Sequence, residues 1–414
     1  MKKLFIVVLA LAFCFAALPA LAQDKAEWSW YGQVRMWTAW ESVSEDTYFA
    51  GNPTATAGLA NGSKARGWGA LTAPGVIEAQ DDDVLDWQLQ TNSRIGVNAK
   101  WGSVGGTVEF GQDGSPWNGS KDTRASIRLM SATWNFGPGT LLVGKNYTPY
   151  FFLVSNLCGP GGGECNGIGY GSIYGGRRAQ VTLQFGGFKI GLSEPEVGNN
   201  PSDIVTRAPW APPAANGVDV DQWLPRIEAA YTFNLGPAAL FLGGAYQTYD
   251  IEVGTAGGIE EVSTDSWALG FGARTAFGPF YANGVFQYGT NVGQGGLATV
   301  LQFSRMLINP VTFETEDNTY MTAQLVLGFR VMDSLSFEGG VIWQEGDADF
   351  PGGGGSVSQD SWVYYVNATW SPAKNVFIVP EFGIIDNGNL EITGEEDQDL
   401  GKVTWFGIKW QINF

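Results

Sequence analysis

Fixed positive charge is the main chemistry this sequence has to offer. Arg35, Arg94, Arg124, Arg128, Arg178, Arg226, Arg274 and Arg330 each stand in a stretch where apolar and polar residues alternate, and each falls on the polar side. Guanidiniums repeated along one face attract and orient anions; the plainer reading is the wetting of a polar wall. Nucleophilic and metal chemistry is poorly served. The chain contains no histidine, which removes Ser-His machinery and His-ligated metals together. Cys14 lies in an N-terminal apolar run, while Cys158 and Cys165 flank GPGGGE. That pair reads as a disulfide, a thiolate metal pair or a redox couple. Two thiolates without histidine make a poor metal site, and no metal or other cofactor is expected.

The elements that must position these charges are strands. In DWQLQTNSRIGVNAKW, Trp87, Leu89, Ile95, Val97 and Trp101 share one face, and Gln88, Gln90, Asn92, Arg94, Asn98 and Lys100 take the other. RRAQVTLQF, RIEAAYTFNL and DSWALGFGARTAF follow the same rule. Alternation with period two belongs to a strand with one apolar face. From Trp267 to Phe277 is ten residue steps. At about 3.3 Å per step and a tilt near 40°, such a strand rises roughly 25 Å, the height of an outer-membrane apolar band. Strands of soluble sheets run to about five or six residues.

Connections alternate between short and long. Short turns fall at 102–105, 137–139, 186–187, 236–237, 278–279, 332–334 and 371–375. Long polar loops fall near 42–86, 112–122, 147–176, 194–222, 253–265, 290–317, 347–359 and 387–398. That pattern predicts an all-β, transmembrane antiparallel barrel of about 16 strands, with short periplasmic turns and long extracellular loops. Aromatic residues cluster beside the short turns (Trp101, Phe277, Phe414) and just after the long loops (Trp87, Trp223, Trp267, Tyr320, Trp362), as two interfacial girdles require.

The first 22 residues, MKKLFIVVLALAFCFAALPALA, read as a secretory signal peptide, leaving 23–414 as the barrel. Removing Lys2 and Lys3 from the formal charge of −18 leaves −20, which argues against nucleic acid as a partner. Acids concentrate in the long loops, at Asp81–Asp83, Glu260, Glu261, Glu314, Glu316 and Glu395–Asp397, so net charge describes the mouth and not the narrowest point. These acids would face lipopolysaccharide or plain solvent.

The chain ends VTWFGIKWQINF, with Phe406, Ile408, Trp410, Ile412 and Phe414 on one face. At this level it resembles a Gram-negative outer-membrane porin of the trimeric 16-stranded class. The resemblance covers the mature chain in architecture, with few sequence motifs. It implies outer-membrane lipid and lipopolysaccharide around a homotrimer, a terminal Phe414 read by the barrel-assembly machinery, and an inward-folded third loop at 147–176. VGKNY before that loop is similar to the family's Gly-Arg-Asn-Tyr, which would make Lys145 a basic eyelet residue. Glu164 is the acid available on the loop, so a weak transverse field is expected. Export into an oxidising compartment favours a Cys158–Cys165 disulfide stapling the loop. The function implied is passive diffusion of small hydrophilic solutes and ions, with no catalysis. A solute-selective channel for an anion or sugar, and a structural or partner-binding barrel, are the alternatives. Arg35, Arg94, Arg124, Arg128, Lys145, Glu164 and Arg178 are the expected constriction residues.

Overall fold

In a computed structural model, the chain forms one closed antiparallel barrel of 16 strands. The structure describes residues 26–44, 48–49, 77–78, 82–113, 124–161, 163–195, 218–255, 258–293, 295–297, 306–308 and 314–414. The signal-peptide segment, most of the second long loop and, of the loop acids named above, Asp81 lie outside the described residues.

The wall runs β1 (Glu27–Val43), β2 (Asp82–Leu89 and Arg94–Trp101), β3 (Val104–Asp113), β4 (Arg124–Asn135), β5 (Thr140–Tyr147), β6 (Arg177–Phe185), β7 (Phe188–Ser193) and β8 (Arg226–Leu235). It continues through β9 (Ala238–Thr255), β10 (Gly258–Phe277), β11 (Phe280–Thr290), β12 (Asn318–Met332), β13 (Leu335–Asp349), β14 (Ser356–Ala373), β15 (Val376–Asp386) and β16 (Lys402–Asn413). β1 closes the ring. One edge pairs with β16 from Gln33↔Asn413 to Val43↔Val403, and the other with both segments of β2. Among the described residues closure pairs both edges of the wall, which a sheet in lipid must achieve.

The seven short turns lie where the sequence places them. Gly186, Gly236 and Gly278 adopt φ of 57°, 58° and 61° at the first turn position, with Gly187, Pro237 and Pro279 following. Positive φ at the first position of a two-residue hairpin matches the right-handed twist of the flanking strands. The outer face is apolar: Leu85, Trp87, Trp101, Val181, Leu269, Phe277, Trp362 and Phe414 are all exposed. Trp28 meets Trp101 and Phe280 meets Phe329 in one girdle, while Trp267 meets Tyr288 and Trp343 meets Trp362 in the other. Trp223 is exposed just before β8. Tyr320 departs from the expected girdle. It is fully buried on the inner side and donates its hydroxyl to Gln344 Oε1 at 2.9 Å.

The inner face is not uniformly polar. Trp37, Ala39, Ile342, Val363, Tyr365, Val403 and Trp405, from β1 and β13 to β16, form one apolar cluster with Leu157, Cys158, Cys165 and Tyr170 of the third loop. A second cluster packs Tyr150, Phe152, Val154 and Ile173 of the loop against β8–β12. Apolar lumen residues stay dry here because the loop covers them.

Close turn packing leaves no room at some glycines. A Cβ on Gly187 would collide with the Thr232 carbonyl of β8, whose amide donates to Gly187 O at 2.9 Å. Backbone cannot yield as a side-chain tip can, so Gly187→Ala is expected to cost about 1–3 kcal/mol. Gly106→Ala meets only the Ser131 carbonyl at 3.8 Å and is expected to be tolerated. The temperature at which the folded band converts on heat-modifiable electrophoresis measures both; equal values for the two variants would contradict this packing.

Candidate functional site

The third loop, 148–176, carries a single ionisable acid, Glu164, and many glycines. Backbone amides placed inside a barrel need acceptors once removed from bulk water. Four wall glutamates supply them. Tyr150 N donates to Glu228 Oε2 of β8 at 2.9 Å, and Asn156 N to Glu338 Oε1 of β13 at 2.7 Å. Cys158 N and Gly159 N donate to Glu381 of β15 at 3.0 and 2.9 Å, and Gly161 N to Glu41 Oε1 of β1 at 2.6 Å. The loop thus follows the inner wall from β8 round to β1.

Glu338, Glu381 and Glu228 have further ties. Tyr281 and Tyr365 donate hydroxyls to Glu338 at 2.9 and 2.8 Å. The Trp405 indole donates to Glu381 at 3.1 Å. Glu228 is fully buried with Arg226 at 2.8 Å. Arg226 also donates to Gly175 O and Gly295 O at 2.9 and 2.8 Å, so it bolts the loop's end to the wall and does not line free space. This corrects the expectation that acids lie almost entirely in the long loops. Glu228, Glu338 and Glu381 are each a lone acid on the inner parity of their strand, as in RIEAAYTF or SFEGG. The lone position was a readable signal; the partner across the lumen was not.

Cys158 and Cys165 form a disulfide, buried in the β13–β16 cluster. Gln90 Nε2 donates to Cys165 Sγ at 3.0 Å. The loop then turns at Cys165 and Asn166, both at positive φ (58° and 62°). Such backbone persists only where the surroundings hold it.

The interruption of β2 at 90–93 builds the charged corner. Ser93 Oγ accepts from Arg35 N at 2.9 Å and donates to Arg35 O at 3.0 Å, stitching the break to β1. The freed Thr91 carbonyl and Asn92 amide oxygen then receive Arg128 at 3.0 and 3.2 Å. Arg128 also pairs with Glu109 and Glu164, each at 2.9 Å. Arg94 approaches Glu109 at 3.3 Å and donates to Asn92 Oδ1 at 3.0 Å. Arg177, at the upper end of β6 and not singled out in the sequence, grips Glu164 at 2.5 and 2.8 Å. Arg35 leaves Nε and Nη1 buried without a hydrogen-bond partner among the described residues. Four guanidiniums therefore face two carboxylates, so Glu164 is neutralised on site and sets up no acidic side opposite the basic one. Lys409, buried and paired in register with Trp37, adds an inner-face cation that the sequence reading missed.

The other expected site residues divide. Arg178 faces inward and donates to Gly175 O at 3.0 Å. The Arg124 side chain lies outside the described residues, though its backbone pairs with Asp113. Lys145 is a correction. It pairs with Met130 and Ala179 and shares the face of exposed Val143, two residues before it, which sets it on the outer face, away from the eyelet. The match to VGKNY fixed its sequence position, while strand parity decides where it points.

A family model described as Gram-negative porin matches residues 8–390. No curated protein sequence matches. Among solved structures, the outer-membrane channel DcaP of Acinetobacter baumannii is 13% identical with a TM-score of 0.59, covering 95% of this chain and 99% of that one. OmpT of Vibrio cholerae is 15% identical at 0.51, covering 95% and 99%. OmpF of Salmonella typhi, in a complex with daunomycin, is 12% identical at 0.50, covering 94% and 97%.

Two outcomes test the clamp. Glu381→Ala leaves the Cys158, Gly159 and Trp405 donors buried without their acceptor, at about 1–3 kcal/mol for each lost bond. Faster proteolysis within 155–167 is expected, with the barrel still folded; unchanged protection would contradict the clamp. Burial alone would raise Glu164, but hydrogen bonds and charge from Arg177 and Arg128 outweigh it and hold the carboxyl at about 2. A depressed folded value means the contribution is complete above the ordinary 4.5 and is lost as pH falls towards about 2. Loop protection measured by hydrogen exchange should hold from neutral pH to near 4.5 and fall only below it. Loss already at neutral to mildly acidic pH would contradict the ion pairs.

Proposed function

The chain belongs to the Gram-negative porin family, and from that premise we propose that its barrel passes small hydrophilic solutes and ions by passive diffusion across the outer membrane, without catalysis. The observation that carries this reading is the third loop clamped to the inner wall beside a partly unpaired arginine corner. A barrel whose inner loop is held at four wall carboxylates has a fixed aperture, and fixed charges at an aperture bias which ions cross. Cleavage after Ala22, surrounding lipopolysaccharide and recognition of Phe414 during assembly belong to the same reading.

Association of three copies is part of it. Lys145 points outward five residues above the start of β5, between Met130 and Ala179. A lysine facing lipid near the midplane costs about 2–4 kcal/mol. Coverage of this wall by a neighbouring copy removes that cost.

An anion preference is the reading that a specific observation favours, because Arg35 keeps buried donors unfilled beside Arg94 and Arg128. Planar-bilayer recording of the purified oligomer tests the whole. Ohmic openings that close in thirds are expected; absence of conductance would defeat diffusion. The reversal potential in a salt gradient should lie on the anion side. Arg35→Gln should shift it towards cations, one unit charge at close range being worth about 1 kcal/mol in water, or about fivefold in local ion concentration. Lys145→Gln should leave it unmoved, and a shift with Lys145 but not with Arg35 would reverse the assignment.

A further inference from the structure

Below the third loop, on the periplasmic side of β8–β12, the wall lines an open cavity of roughly 380 Å³. Its inner-face lining includes Asn234, Ala239, Arg274, Ala276, Asn283 and Arg330, and no carboxylate lines it among the described residues. The loop forms its ceiling. Arg274 donates to the Leu153 carbonyl and lies 4.4 Å over the Phe152 ring, while Asn283 Nδ2 donates to Val154 O at 3.0 Å. These ties hold one guanidinium and one amide in place with no carboxylate paired to either among the described residues; the nearby Glu338 is engaged by the lining residue Tyr281, whose hydroxyl it accepts at 2.9 Å.

Arg330 comes from the other side. The β12–β13 register shifts between Arg330 and Met332, and Arg330 N donates to Pro279 O at 2.8 Å. A bulge re-aims the side chain it carries. Among the described residues the Arg330 guanidinium has neither a hydrogen bond nor an ion pair. The lips are Pro237 and Pro279, stiff and apolar, from the Gly-Pro turns. Two cations and two amides recognise a carboxylate, and alanine and proline walls accept an apolar body beside it.

We propose that this cavity is a second binding station, taking a small organic carboxylate with an apolar body after it has passed the loop. Only the route by which the anion arrives rests on the diffusion reading; the site itself does not. The probe is para-fluorobenzoate with the purified full-length oligomer in detergent, followed by fluorine NMR line width. Saturable broadening is expected, displaced by benzoate and not by acetate at equal concentration. Arg330→Gln should weaken binding about fivefold or more, and Arg330→Lys should restore part of it. Arg35→Gln, in the upper corner, should leave it intact. Displacement by acetate as effective as by benzoate, or Arg330→Gln binding as wild type, would overturn the proposal. Binding is read without conductance, so a non-conducting barrel that binds the probe would defeat diffusion and leave this site standing.

Discussion

Amides of a glycine-rich loop, once folded inside a barrel, must be given acceptors, and four glutamates on the wall give them. The remaining inner architecture follows from this constraint. Glu228, Glu338, Glu381 and Glu41 are spaced round the barrel so that successive turns of the loop meet one carboxylate after another. A carboxylate in such a place is itself costly to bury, and its own needs are met by Arg226, Tyr281, Tyr365 and Trp405. Loop and wall therefore satisfy each other's buried polar groups. The disulfide shortens the free chain between the last two glutamate contacts and the Glu164 ion pairs.

That arrangement divides the lumen. The sector from β8 round to β1 is covered by the loop, which is why its inner face can be apolar. The basic corner lies on β1, β2, β4 and β6, where Arg35, Arg94, Arg128 and Arg177 gather round the break in β2. A solute skirting the loop meets this corner first and the Arg274–Arg330 wall afterwards. The formal charge of −18 says nothing of this path, since its acids lie mostly in the long loops while the path itself is basic.

Much of the wall was legible in the sequence. Strand parity set Trp87, Trp267 and Trp362 outward and Arg35, Arg94 and Arg178 inward because one face of every strand meets lipid. The Gly-Pro turns and the terminal run to Phe414 were equally plain. The loop's destination was not, because hydrogen bonds between residues such as Cys158 and Glu381, 223 positions apart, leave no local pattern. Lys145 was misplaced for a related reason: a resemblance in four residues carried a role that the local parity of β5 does not permit. Tyr320 has the same lesson in reverse, an aromatic at girdle spacing on the inner parity.

The most direct test of the clamped-loop account is the single-channel conductance of a variant with residues 155–167 replaced by a short glycine-serine link, recorded against wild type. Removal of the clamped segment is predicted to give larger ohmic openings that retain their triplet closure and lose part of their ion preference. Openings of wild-type size and preference would mean that the loop does not set the aperture.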